Sequence, residues 1–297
     1  MRQKLIAAAL LSSVLKLSAQ QAPATTPQGA ADRDRSVPIY SVTVVQRALK
    51  AVNYQRRTGP TYVDMRGTVL LPKAEGQAKV EVKNGYTEVD ATFKHIDPPT
   101  QFGTEFLTYI LWAITPDGRA INLGELIPDG SNKGKMRVTC PNSTFGLLVT
   151  AEPYFSVPYP SDVVVMENII RPDTVGRVED IEAKYELLPR GQYTMHIKPQ
   201  ELASARMTPA PTVSMPQYEA TLELYQARNA VQIAQADGAG QYAADTLNKA
   251  RTFLSQAEAQ YARKTDYNNV TSTARQAVQA AADARSIAMR RKTAPQP

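Results

Sequence analysis

The sequence predicts a mainly β fold, a sandwich of short strands, followed by a separate C-terminal antiparallel bundle of three α-helices. Three observations lead there. Between residues 78 and 169, apolar and polar residues alternate with period two in short runs, broken by Asn-Gly, Asp-Gly and Pro-Pro turn signals. After Pro216 the apolar spacing changes to steps of three and four. Pro199, Pro209, Pro211 and Pro216 mark a linker between the two patterns.

The first element is an address rather than a domain. Arg2 and Lys4 precede an apolar run over residues 5–14, and Ala19-Gln20 offers a cleavage point, so residues 1–19 read as a signal peptide. The run is too short to span a bilayer. Lys16 and Leu17 depart from the ideal pattern, and an uncleaved interfacial helix is the alternative. Export implies a bacterial periplasmic or secreted protein, with no stable membrane span after cleavage. Residues 20–38, rich in Gln, Ala, Pro and Thr, read as a disordered leader.

Residues 39–198 carry the β pattern. Strands are expected over 40–45, 62–71, 78–83 and 87–96, with Asn84-Gly85 as a hairpin turn in which both residues need positive φ. Further strands are expected over 106–114, around Ile121 and Leu123 after the Asp117-Gly118 turn, and over 136–139, 145–151 and 163–169. Residues 181–197 read as an added hairpin turning at Pro189-Arg190-Gly191. Residues 199–216 form the linker, 217–291 the helical bundle and 292–297 a disordered tail. In the bundle, Ala220, Leu224, Ala227 and Val231 set one stripe, Leu247, Ala250, Leu254 and Ala257 a second, and Val270, Ala274, Ala277 and Ala281 a third. Asp237-Gly238 stops the first helix and Thr265-Asp266 caps the third. Alanine seams bury little area, so the bundle is expected to gain from a partner or from self-association.

Charge excludes one class of partner. The net charge is +6, and residues 1–19 contribute three bases and no acid. Residues 36–213 are balanced, which leaves Arg290, Arg291 and Lys292 as the excess and no nucleic-acid footprint. These three suit a solvated helix C-terminus, or a contact with anionic lipid or polymer.

No catalytic, cofactor or metal site is expected. His95 and His196 stand alone, and the single Cys140 reads as a buried, inert thiol. The acid pairs Glu179-Asp180 and Asp32 with Asp34 read as solvated loop charge, and residues 129–132 make a poor calcium loop. Trp112 reads as core filling between two sheets, with an exposed sugar-stacking platform as the alternative. Tyr218, Tyr225, Tyr242, Tyr261 and Tyr267 are numerous for an alanine-rich bundle; together with Arg290, Arg291 and Lys292 they are the candidate interface.

Two resemblances add to this reading. Residues 109–112 (Tyr-Ile-Leu-Trp), 115–119 (Thr-Pro-Asp-Gly-Arg), 123–126 (Leu-Gly-Glu-Leu) and 148–153 (Leu-Val-Thr-Ala-Glu-Pro) resemble the extracytoplasmic C-terminal domain of anti-sigma-K factors. That resemblance implies an immunoglobulin-like sandwich outside the cytoplasm. The sigma-binding segment of that family has no counterpart here, so inhibition of a sigma factor is not implied. Residues 227–236 with Gly238, Leu247, Ala250 and Leu254 resemble alanine-rich helical modules of envelope proteins that often stand beside OmpA-like domains. The expected function is a non-catalytic structural or protein-interaction module of the envelope. The partner would be an envelope protein or a cell-wall polymer. The alternative is a carbohydrate- or peptidoglycan-binding module.

Overall fold

A computed structural model describes residues 46–55, 59–172, 174, 177–184, 214–264 and 266–293. The expected signal peptide, leader, strand over 40–45, return strand of the added hairpin, most of the linker and His196 lie outside the described residues. Ten strands form the β region: β1 (Gln46–Asn53), β2 (Thr61–Gly67), β3 (Glu75–Lys83), β4 (Tyr86–Lys94), β5 (Thr108–Ile114), β6 (Ala120–Leu126), β7 (Gly134–Cys140), β8 (Thr144–Glu152), β9 (Val164–Ile169) and β10 (Arg177–Lys184). Among the described residues four helices follow: α1 (Met215–Ala236), the single turn α2 (Ala239–Tyr242), α3 (Ala244–Ala262) and α4 (Tyr267–Thr293).

The immunoglobulin-like sandwich is not what forms. All ten strands belong to one antiparallel sheet that curls nearly into a barrel, in the order β6-β5-β8-β9-β2-β3-β4-β7. β7 returns beside β6, but each keeps a single ladder partner, β4 for β7 and β5 for β6. β1 branches off at the start of β8, where Val52 and Asn53 meet Phe145 and Thr144, and carries β10 on its other edge. Period-two alternation is common to both architectures, because each has one inward and one outward side. What decides between them is pairing: β8 and β2 both pair with β9, which joins strands a sandwich would divide between two sheets.

Local chemistry explains the turns. The β3–β4 hairpin closes at Asn84-Gly85, but only Gly85 takes a positive φ, at 91°, so the expected pair of left-handed residues is not needed. At Asp117-Gly118 the chain reverses through Gly118 at φ 78°, with the Thr115 carbonyl accepting from the Gly118 amide. Ser214 caps α1 by accepting the Gln217 amide, and Asp266 caps α4 by accepting the amides of Asn268 and Asn269.

The barrel interior is apolar, with Val63, Met65, Val89, Phe93, Tyr109 and Leu111 among its buried residues. The helices are not separate from it. Ile110, Trp112, Ile114 and Leu148, on the outer face of β5 and β8, share one core with Leu224, Ala227, Ala230 and Val231 of α1 and the alanines of α4. Trp112 is fully buried, as sequence suggested, yet it lies between sheet and helices rather than between two sheets. Within the helical layer, Thr221 meets Tyr261 and Gln235 meets Arg251, so α1 and α3 run antiparallel. Glu223 meets Arg275 and Asp237 meets Arg285, so α1 and α4 run in the same direction. The up-down-up bundle therefore forms, but docked on one wall of the barrel.

Candidate functional site

The densest grouping of buried polar chemistry among the described residues is the seam where α1 and α4 meet the barrel. Its first member depends on a bulge. On β6, Ile121 and Leu123 side with the barrel interior, and strict alternation would send Glu125 inward as well. The pairing with β5 instead jumps from Leu111–Gly124 to Trp112–Asn122, leaving Leu123 as an extra residue. Gly124, at φ 142°, absorbs the bend. The phase inverts, Leu126 turns inward, and Glu125 points at the helices.

Glu125 is met there by three elements. One carboxylate oxygen accepts from the Thr108 hydroxyl at 2.7 Å and from the Gln226 amide at 2.6 Å. The other accepts from Nη1 of Arg275 at 3.2 Å. The same Nη1 also donates to Glu223 of α1. The Arg275 guanidinium stands 4.1 Å from the Phe155 ring centroid, and its side chain is 41% exposed. Glu223 is 2% exposed, and its second oxygen is buried with no partner. Burial first, and then the charge of Glu125, pushes the Glu223 carboxyl up to about 8, so it is largely protonated at neutral pH.

Two further connections run along the seam. Gln226 accepts the Phe155 amide at 2.7 Å, and Asn229 donates to the carbonyls of Glu105 and Pro153. Arg285, buried, donates to Asp237 at 2.5 Å and to the Tyr154 hydroxyl at 3.4 Å. Below them, the Trp112 indole donates to the Thr150 hydroxyl at 2.8 Å, and Thr150 donates to Glu152. Glu152 also accepts the Ser161 amide.

Compared with family models, curated proteins and solved structures, the chain matches none.

The structure scatters the interface residues proposed from sequence. Tyr218 and Tyr225 are buried, with Tyr225 packed against Leu107 and Leu222 beneath the helices. Tyr242, Tyr261 and Tyr267 are half-buried; the rings of Tyr261 and Tyr267 stand 5.8 Å apart, and the Tyr261 hydroxyl bonds Thr221. They pack within this chain's own bundle. Arg290, Arg291 and Lys292 are exposed in the last turn of α4, where Arg291 donates to the Tyr242 carbonyl and Arg290 to the Ser286 carbonyl. The apolar stripe of α1 packs against the outer face of β5 and β8.

The seam residues Glu125, Glu223, Gln226, Asn229, Arg275 and Arg285 were missed from sequence. Glu223, Gln226 and Asn229 step by three along α1 beside the apolar stripe, a spacing that places them on one face. Polar residues there look like a solvated edge until the barrel is in place. Among the described residues, no three His, Cys, Asp or Glu side chains gather closely enough to hold a metal. Asp129 turns its carboxylate onto the amides of Ser131 and Lys133. Glu179 and Asp180 lie on β10 rather than in a loop, and Asp180 pairs with Lys50 at 2.8 Å.

On the opposite wall of the barrel, the outer face of β2, β3 and β4 is covered by no helix among the described residues. It carries a shallow depression of about 460 Å³ bordered by Asp64, Arg66, Glu75, Gln77, Thr92 and Lys94. Asp90 and Arg137 pair across β4 and β7 at 2.6 Å, and this contact holds the Asp90 carboxyl below its ordinary range. Tyr62 and Tyr86 are exposed on the same face. No helix of the described residues is long and apolar enough to cross a membrane.

Proposed function

We propose that the chain is a non-catalytic, exported envelope protein that works as a structural or protein-interaction module, presenting the open wall of its barrel to a protein partner. One observation carries this reading. The buried carboxylates and cations at the seam are engaged in joining helices to barrel, and Arg275 is held by two carboxylates and an aromatic ring rather than poised over a cleft. The helical layer then acts as a buttress, and the wall of β2, β3, β4 and β7 is the surface left for recognition. Export is supported by the pattern of residues 1–19.

Crosslinking in the native envelope tests the reading. Lys79, Lys83, Lys94 and Lys135 stand on or beside the open wall. Crosslinks from these lysines to one defined envelope protein, absent from bundle residues Lys249 and Lys264, are expected. Crosslinks confined to the bundle, or a chain retained with an intact leader in the cytosol, would contradict it.

A second reading, a carbohydrate- or peptidoglycan-binding module, draws on Tyr62 and Tyr86, two exposed rings near a polar depression. Cosedimentation with purified peptidoglycan that is lost in Tyr62→Ala would favour it over the first.

A further inference from the structure

We propose that Glu125, Arg275 and Glu223 form a proton-operated clasp, which fastens α1 and α4 to β6 while Glu223 is protonated and loosens when that proton leaves. The stoichiometry of the contact is the basis. A single guanidinium nitrogen, Nη1, serves two carboxyl groups. One cation compensates one negative charge, so two buried carboxyls beside one half-exposed guanidinium favour one of them being neutral. The hydrogen bonds identify which. Glu125 accepts from two further donors, Thr108 and Gln226. Glu223 has one donor, and its other oxygen is sealed from solvent with no partner. A charge on that oxygen would be far costlier than a neutral hydroxyl.

The charged groups bearing on Glu223 come from three elements: Glu125 on β6, Arg275 on α4 and Glu219 one turn earlier on α1. With Glu223 ionised, two carboxylates share one guanidinium, and the charge of Glu219 adds to the repulsion on Glu223. The shift of Glu223 from its ordinary 4.5 to about 8 agrees with this arrangement. Folding binds this proton more tightly than the unfolded chain does. The clasp's contribution is therefore complete below about pH 4.5 and is lost as pH rises through about 8.

The fold places this loss where it can open something. β6 is laddered on one side only, to β5, and its other edge faces the unladdered edge of β7. Glu125 fastens β6 to the helices at this seam of the barrel. Release of the clasp frees β6 at its weakest boundary, so local opening should begin there rather than at the fully paired β3–β4 hairpin.

Amide hydrogen exchange on the full chain, corrected for the intrinsic rise of exchange with pH, tests this. Between about pH 6 and pH 9.5, segments 120–126, 215–229 and 267–281 are expected to lose protection by about tenfold or more, while 75–94 does not. In Glu223→Gln, whose side chain stays neutral, the loss should vanish. It should be smaller in Glu125→Gln, where one carboxylate is left for one guanidinium while the burial of Glu223 remains. Loss of protection that persists equally in both variants, or a wild-type seam indifferent to pH, would overturn the clasp. Should a variant fail to fold, carbon NMR of the Glu223 carboxyl in the wild type decides. A midpoint near about 8 supports the clasp, and one near the ordinary carboxyl value removes it.

Discussion

The wall built by β5 and β8 and the wall built by β3 and β4 belong to one sheet, yet their sequences differ sharply. β5 reads Thr-Tyr-Ile-Leu-Trp-Ala-Ile and buries all seven residues. β4 reads Tyr-Thr-Glu-Val-Asp-Ala-Thr-Phe-Lys and buries every second one. The inward residues of the two strands are equivalent, Tyr109 and Leu111 on one and Val89 and Phe93 on the other. The contrast lies in the outward residues: Ile110, Trp112 and Ile114 against Glu88, Asp90 and Lys94. A strand's second face therefore records what covers it: helices on one wall, solvent on the other.

This contrast can be broken experimentally, from its strongest element down. Trp112→Ala removes the largest side chain from between sheet and helices and should destabilise the protein by about 3–5 kcal/mol in urea unfolding. Arg285→Met leaves the mostly buried Asp237 carboxylate without its guanidinium, and should cost about 2–4 kcal/mol by the same measurement. Asn229→Leu strips two hydrogen bonds from the carbonyls of Glu105 and Pro153, for a loss of about 1–3 kcal/mol. On the open wall, Asp90→Asn weakens an exposed cross-strand pair with Arg137 and should leave the unfolding midpoint within error. A large effect at Asp90 with a small one at Trp112 would reverse the assignment of covered and open walls.

Much of the secondary structure was legible in the sequence. The alternation of Ala78, Val80 and Val82, the Asn84-Gly85 turn and the stripe of Ala220, Leu224 and Ala227 each mark the right element, because local periodicity reflects local burial. Closure was not legible, since the pairing of β9 with both β8 and β2 is a long-range choice that leaves no local trace. The docking of the helices did leave a signal. Seven consecutive buried residues in β5, with Trp112 and Ile114 on the side away from the barrel interior, require a cover on both faces. The clasp was hidden for two reasons: the bulge at Leu123-Gly124 inverts the phase that would otherwise place Glu125 inside, and Arg275 lies 150 residues away in sequence.

One probe reports directly on whether barrel and helices are a single unit. Trp112 is the only tryptophan, and it sits between the covered wall and the helical layer. Its fluorescence and the helical circular dichroism signal should follow one superimposable urea transition with a shared midpoint. Helical signal lost at lower urea while Trp112 stays buried would contradict the shared core.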